Sequence, residues 1–228
     1  MSYYGNQSLG DIIRRTPAVT NIILINILML IATQIKVDWM YRTFALFPFT
    51  SPYFHWWQLI THMFMHGGFW HIFFNMYTLW IFGVMLEMQW GSKKFLWFYF
   101  VCGIGAALCQ NGVLAIQLSV LNNQLAAGSV TAGAHISQIL STPCVGASGA
   151  IYGVLMGYGM LYPNNRIMLI FPPIALKAIW WVLIFFVIEL ATGFVNNGDN
   201  VAHFAHVGGM IFGFLTIQYW KKKGTLYR

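Results

Sequence analysis

The chain has 228 residues, of which 58% are hydrophobic and 7% charged, with a formal net charge of +7 and a mean hydropathy of +0.64. Soluble domains carry about a quarter charged residues, so the composition excludes an ordinary water-soluble enzyme and points to a polytopic membrane protein. The basic residues sit in short clusters beside apolar runs, which argues against nucleic acid as a partner, and Cys102, Cys109 and Cys144 form no C-x-x-C pair and so suggest neither a disulfide framework nor a metal site.

A membrane-crossing helix needs about 20 predominantly apolar residues, because the hydrocarbon layer is about 30 Å thick. Apolar runs between polar or Pro/Gly breaks predict six such helices, at about 18–36, 68–88, 94–116, 146–162, 174–194 and 201–220. The expected fold is therefore an all-α membrane protein, a bundle of six transmembrane helices. Residues 1–17 are read as a cytoplasmic N-terminal segment, 18–220 as the membrane domain and 221–228 as a basic cytoplasmic tail. The first run follows Arg14, Arg15 and Pro17, is too long for a signal-peptide core, and is not followed by a small-residue cleavage site, so it reads as an uncleaved helix. Between the first two spans, 37–67 is dense in aromatic residues, among them Trp39, Trp56 and Trp57, as suits a segment resting in the headgroup layer. The stretch 117–145 has no Asp, Glu, Lys or Arg and is expected to be an irregular outer loop.

Charge sets the direction. In a six-span arrangement Arg14, Arg15, Lys93, Lys94, Arg166, Lys177, Lys221, Lys222, Lys223 and Arg228 fall on one side, and only Lys36 and Arg42 on the other. The positive-inside bias then puts both termini in the cytoplasm.

With that orientation, spans two, four and six all enter from the outer face, and each carries polar residues in its first turns. His71 and Asn75 are spaced i, i+4 on span two; Ser148, within Gly146-Ala147-Ser148-Gly149, shares a face with Tyr152 on span four; His206, Gly209 and Gly213 share a face on span six. Any one of these has a plain structural reading, since small residues commonly line helix contacts and a membrane histidine is often a hydrogen-bonded structural group. Their shared depth makes them one candidate site. Gly149, Gly153 and Gly157 form a ribbon beside Ser148 that would let spans four and six approach closely enough for a Ser148–His206 hydrogen bond. His203 competes with His206 for that role, and the spacing of Gly209 and Gly213 favours His206.

These residues resemble the rhomboid intramembrane serine proteases, over all six spans: Trp57 in the first outer loop, His66 and His71-Ile-Phe-Phe-Asn75 on span two, Glu87 at the end of that span, Gly146-Ala147-Ser148-Gly149 with Tyr152, and Ala205-His206-Val207-Gly208-Gly209. The resemblance implies Ser148 as nucleophile, His206 as its base, His71 and Asn75 lining an oxyanion hole, and Tyr152 packed against the catalytic imidazole. It also implies transmembrane protein substrates, with access between spans two and five. One departure is Gln58, where the family often has an Arg after the loop Trp.

A serine hydroxyl becomes an effective nucleophile when a hydrogen-bonded base takes its proton. The sequence places no Asp or Glu to orient His206: Asp199 falls in a loop, Glu87 at the far end of span two and Glu189 on span five. A Ser-His dyad is the expectation, with the face of Tyr152 in place of a carboxylate and the backbone N–H of Ser148 as a further oxyanion donor. His66, Gly67 and Gly68 are expected at the rim of a water-filled cavity. A bacterial cytoplasmic (inner) membrane, with the site towards the outer face, is the expected location. Two other readings compete. One takes His62, His66, His71, His203 and His206 as zinc ligands, but no Asp, Glu or Cys joins them at ligand spacing and Ser148 is left without a role. The other is a non-enzymatic adaptor. The preferred reading calls for no metal and no cofactor, with membrane lipid and transmembrane substrates as partners.

Overall fold

Pro17 opens the first long helix at a position where a missing N–H breaks no helical bond. The computed structural model describes residues 8–168, 173–195 and 202–227. The first seven residues of the N-terminal segment, Asp199, residue 201 at the expected start of span six, and Arg228 lie outside the described residues. Helix α1 (Leu9–Arg15) leads into α2 (Pro17–Ile35), and α3 (Val37–Phe44) and α4 (Gln58–Thr61) give the loop between the first two long apolar helices its frame. A π-helical turn, Leu79–Gly83, joins α5 (Phe69–Thr78) to α6 (Val84–Trp90). Beyond them come α7 (Ser92–Ala126), α8 (Ala132–Ser141) and α9 (Ser148–Leu161), then α10 (Ala178–Val195) and α11 (His203–Lys222). Between α9 and α10 a short antiparallel pair, β1 (Arg166–Met168) with β2 (Ala175–Lys177), adds strand to a fold expected to be wholly helical; Arg166 faces Lys177 in its register.

Among the described residues, four helical runs are long and apolar enough to cross a membrane: Pro17–Ile35, Phe69–Trp90, Ser92–Ala126 and Ala178–Val195. Helix α9 is apolar but has 14 residues, and α11 has 20. Large hydrophobic side chains stay exposed on the outward faces, among them Leu28 and Ile31 on α2, Phe74 on α5 and Val187 on α10, while Asn26, Glu87, Asn111 and Glu189 are buried. This inside-out distribution is that of an integral membrane protein, whose outer surface meets lipid.

The stretch 117–145 corrects the sequence reading. Its polar residues Gln117, Asn122, Asn123 and Gln124 are not helix breakers, and α7 continues through them to Ala126. Gly128, at φ +90°, then ends the helix: its N–H bonds the Leu125 carbonyl and the Ser129 N–H bonds the Gln124 carbonyl, closing a left-handed C-terminal cap. At about 1.5 Å per residue, a 35-residue helix outlasts the roughly 30 Å hydrocarbon layer by several turns.

Helices α7, α9 and α11 each pack against the other two, with α10 beside α9 and α11. The far end of this core is fixed by Glu87. Its two carboxylate oxygens each accept a backbone N–H from the first turn of α2, Ala18 and Val19, at 2.8 Å, and it also accepts the Ser92 hydroxyl at 2.6 Å. A buried carboxylate is tolerated here because it meets the unpaired N–H groups and positive dipole end of a helix.

Candidate active site

The segment that delivers Ser148 is hung from the loop at 37–67. Cys144 and Leu46 exchange backbone hydrogen bonds at 2.8 and 2.9 Å, and the Gly146 N–H donates to the His62 carbonyl at 3.0 Å. Gly146 adopts φ +131°, a backbone region suited to glycine, and the chain then turns into α9 with Ser148 as its first residue. The Ser148 N–H thus lies in the first helical turn, where no carbonyl of the same helix can receive it.

Gln58, the departure from the resemblance, is what knits that loop. It is fully buried; its Oε1 accepts the His55 N–H at 3.1 Å and the Phe47 N–H at 3.4 Å, and its Nε2 donates to the carbonyls of Tyr53 at 2.9 Å and Arg42 at 3.2 Å. Trp57 adds an indole N–H to the Thr43 carbonyl at 2.8 Å. A neutral amide, able to accept and donate at once, satisfies four backbone groups where a guanidinium could only donate.

On the opposite side of Ser148, α11 brings His206 into contact. Ser148 Oγ and His206 Nε2 are 2.7 Å apart, and the Tyr152 ring stacks on the imidazole at 4.3 Å between centroids and 11° between planes. Gly209 and Gly213 make this approach possible. A Cβ on Gly209 would overlap the Gly149 carbonyl oxygen, and one on Gly213 would come within 3.0 Å of the Gly153 carbonyl oxygen. The glycines of α9 also serve α7: a Cβ on Gly149 would meet Ala106, and one on Gly153 would meet Cys102.

His71 and Asn75 approach from α5. The His71 Nδ1 accepts the Gly67 N–H at 3.3 Å, which leaves the proton of the neutral ring on Nε2. That Nε2 lies across Gly146 from the hydroxyl: a Cβ built on Gly146 would be 2.9 Å from His71 Nε2 and 3.5 Å from Ser148 Oγ. Asn75 Nδ2 donates one hydrogen to the His71 carbonyl at 2.9 Å, and its side chain is largely buried. Ser148, His206, His71 and Asn75 together line one open cavity of about 1490 Å³, with Gly67 and Gly68 also on its wall. His66, expected at the rim, is instead 1% exposed and packs edge-on to His71 at 4.9 Å.

The sequence reading places no acid beside His206 and treats Glu189 on span five as a buried carboxyl satisfied by a neighbour or a gating residue. Glu189 Oε2 is 3.0 Å from His206 Nδ1 and 2.6 Å from His203 Nδ1, and its Oε1 accepts the Tyr152 hydroxyl. Glu189, His203 and His206 also offer possible ligand atoms within 4.8 Å of one another, so an acid does join two of the histidines. The N–H···O bonds expected of a hydrogen-bonded cluster account for the short separations better than a shared ion does, since ligand atoms around tetrahedral zinc at about 2.0–2.1 Å stand about 3.3 Å apart.

Two loop histidines set a pH dependence on stability. Burial pushes the His62 ring down to about 4, offset in part by its hydrogen bond to the Gln58 carbonyl, and pushes His66 down to about 3, against an ordinary 6.5. Between these values and 6.5 the unfolded chain binds protons that the folded chain refuses. The associated stability is therefore complete above about pH 6.5 and is lost as pH falls towards 4. Thermal unfolding in detergent should show a His62 contribution of about 2 kcal/mol lost between pH 7 and 4.5. His62→Asn should flatten that decline; an unchanged slope would reject the assignment.

A sequence model of the Rhomboid domain matches residues 53–222. The chain is 32% identical to Rhomboid protease GluP of Bacillus subtilis over 162 residues, 70% of this chain and 25% of that protein. It is 33% identical to RHOMBOID-like protein 6, mitochondrial, of Arabidopsis thaliana over 158 residues, 69% of this chain and 41% of that protein. With the Putative rhomboid protease YdcA of Bacillus subtilis it shares 32% identity over 167 residues, 72% of this chain and 68% of that protein. The chain spans from a quarter to about two fifths of the length of the first two of these relatives. The matched region covers about three quarters of the chain and contains both members of the Ser148–His206 contact together with His71 and Asn75, and on this ground the chain belongs to the rhomboid family.

Proposed function

We propose that this protein is an intramembrane serine endopeptidase that cuts transmembrane segments of membrane-anchored proteins near the outer membrane face. The observation that carries the proposal is the 2.7 Å contact between Ser148 Oγ and His206 Nε2 on the wall of an open cavity. In this reading Ser148 attacks the scissile carbonyl while His206 takes the hydroxyl proton; His206 then returns that proton to the leaving amine, and water repeats the sequence on the acyl-enzyme. The oxyanion is received by the N–H of Ser148, Nε2–H of His71 and the second amide hydrogen of Asn75. These donors are fixed before reaction, and each such donor is worth roughly 3 kcal/mol where water is scarce.

A helical substrate keeps its peptide carbonyls engaged, so the segment cut must fray, and small residues at the cut favour that. Access is assigned between α5 and α10. The six-span topology, with α9 and α11 as spans four and six and both termini cytoplasmic, supplies the outward-facing cavity. A bacterial inner membrane is the location proposed, and the division into 1–17, 18–220 and 221–228 follows from it.

The test is purified protein in liposomes with a reporter transmembrane substrate, comparing wild type, Ser148→Ala and wild type with a chelator. Loss of cleavage in Ser148→Ala alone supports the protease. Loss with chelator alone would transfer the chemistry to a metal at Glu189, His203 and His206, and no cleavage in any sample would favour a non-enzymatic adaptor. Within the protease, Asn75→Ala should lower kcat by about 10- to 100-fold with folding intact; an unchanged kcat removes Asn75 from the oxyanion site.

A further inference from the structure

We infer that Glu189 is a positioning residue for His206, which selects the tautomer of the imidazole that can accept the Ser148 proton. The inference rests on the proposed Ser148–His206 chemistry and adds a third group to it. Glu189 is the only ionisable residue in the 18 residues of α10, an otherwise apolar helix, and it is 7% exposed. A carboxylate in such a place requires partners. It has them on two neighbouring helices: Tyr152 on α9, and His203 and His206 on α11.

The arrangement has a consequence for proton placement. An ionised carboxylate only accepts hydrogen bonds, so a ring nitrogen facing it must carry hydrogen. With Glu189 Oε2 3.0 Å from His206 Nδ1, the hydrogen belongs on Nδ1, and Nε2 presents its lone pair to Ser148 Oγ at 2.7 Å. The Nδ1 contact is not a well-aligned hydrogen bond in the resting state, and His206 Nδ1 has no other hydrogen-bond partner among the described residues. Proton transfer from Ser148 gives His206 a positive charge, which draws its ring towards the carboxylate and tightens this contact as the reaction proceeds.

Tyr152 and His203 hold Glu189 for that purpose. The phenol ring that stacks on His206 also binds Glu189 Oε1, so one side chain fixes both the imidazole plane and the carboxylate. His203 Nδ1 holds the other oxygen at 2.6 Å, and Thr192 Oγ1 sits 3.1 Å from that same nitrogen. With the opposite tautomer His206 would point N–H at the serine oxygen, where it could receive no proton.

The experiment compares wild type, Glu189→Gln, Glu189→Asp and Ser148→Ala in liposomes, measuring kcat and KM on the reporter substrate. It also reads the imidazole 15N shifts of His206, assigned by their loss in His206→Ala. Glu189→Gln should lower kcat by at least about tenfold with KM within about twofold, and should move the His206 signals from the Nδ1–H tautomer to a mixture. Glu189→Asp, which keeps the charge, should retain more activity than Glu189→Gln. A smaller fall in kcat, an unchanged tautomer, or Asp no better than Gln overturns the inference. Should Glu189→Gln not fold, Glu189→Leu, which removes the carboxylate and suits an apolar helix, takes its place: a mixed His206 tautomer population supports the inference, and an unshifted one overturns it. Cleavage surviving in Ser148→Ala would instead remove the underlying serine chemistry, so the two failures are distinguishable.

Discussion

Replacing His206 with alanine should reduce cleavage by about ten-thousand-fold or more while leaving the helices assembled. The expectation follows from geometry: Ser148 Oγ is 2.7 Å from His206 Nε2, whereas His203 directs its Nδ1 to Glu189. Without an acceptor for its proton the hydroxyl is a poor nucleophile, and in soluble serine proteases loss of the base alone removes nearly all of the rate that the nucleophile and base supply together. The double variant Ser148→Ala/His206→Ala should accordingly be no slower than either single variant, because the two groups act as one unit. His203→Ala removes a partner of Glu189 and leaves the Ser148–His206 pair in place, so it should lose no more than about tenfold. Turnover in liposomes, paired with labelling of Ser148 by a serine-reactive fluorophosphonate, measures all four variants. If His206→Ala stayed within tenfold of wild type while His203→Ala lost activity, the base would have to be reassigned.

The residues that touch in this site differ in how plainly they announce themselves. Ser148, His206, His71 and Asn75 were legible because each sits in the first turns of an apolar helix, where a polar group is conspicuous, and because the small residues at Gly209 and Gly213 mark a close helix contact. Glu189 was visible as a lone acid but not as their partner. It lies six residues before the end of α10, while His203 and His206 are the first and fourth residues of α11, so only folding the two helices back on each other brings them level. A lone carboxylate opposite a histidine pair across a helical hairpin is the signal that would have found it. Gln58 was hidden for a different reason. Its role is to satisfy backbone groups of an irregular loop, and no periodicity encodes such a loop. The extension of α7 was misread because a polar composition suggested a loop, while the stop signal itself, Gly128, comes eleven residues later than the start of that stretch.

Gly209→Ala should be the most damaging glycine-to-alanine change among the described glycines. Most glycine-to-alanine changes in helices stabilise by about 0.5–1 kcal/mol, because alanine has less backbone freedom to lose. At Gly209 the added Cβ would overlap the Gly149 carbonyl oxygen, which belongs to backbone and cannot rotate away as a side chain would. Helices α9 and α11 must then separate, and the strain of such overpacking is about 3 kcal/mol. The same separation carries His206 away from Ser148, and a misplacement of about 1 Å in a catalytic pair is enough to lose roughly 100-fold in rate. Gly112→Ala supplies the contrast, since a Cβ there meets nothing within 4 Å. Thermal unfolding in detergent should therefore show opposite shifts for the two variants, down for Gly209→Ala and slightly up for Gly112→Ala, with turnover lost only in the first. Equal stability of the two variants would mean that α9 and α11 do not depend on backbone contact at Gly209, and the close approach that brings the serine to its base would need another cause.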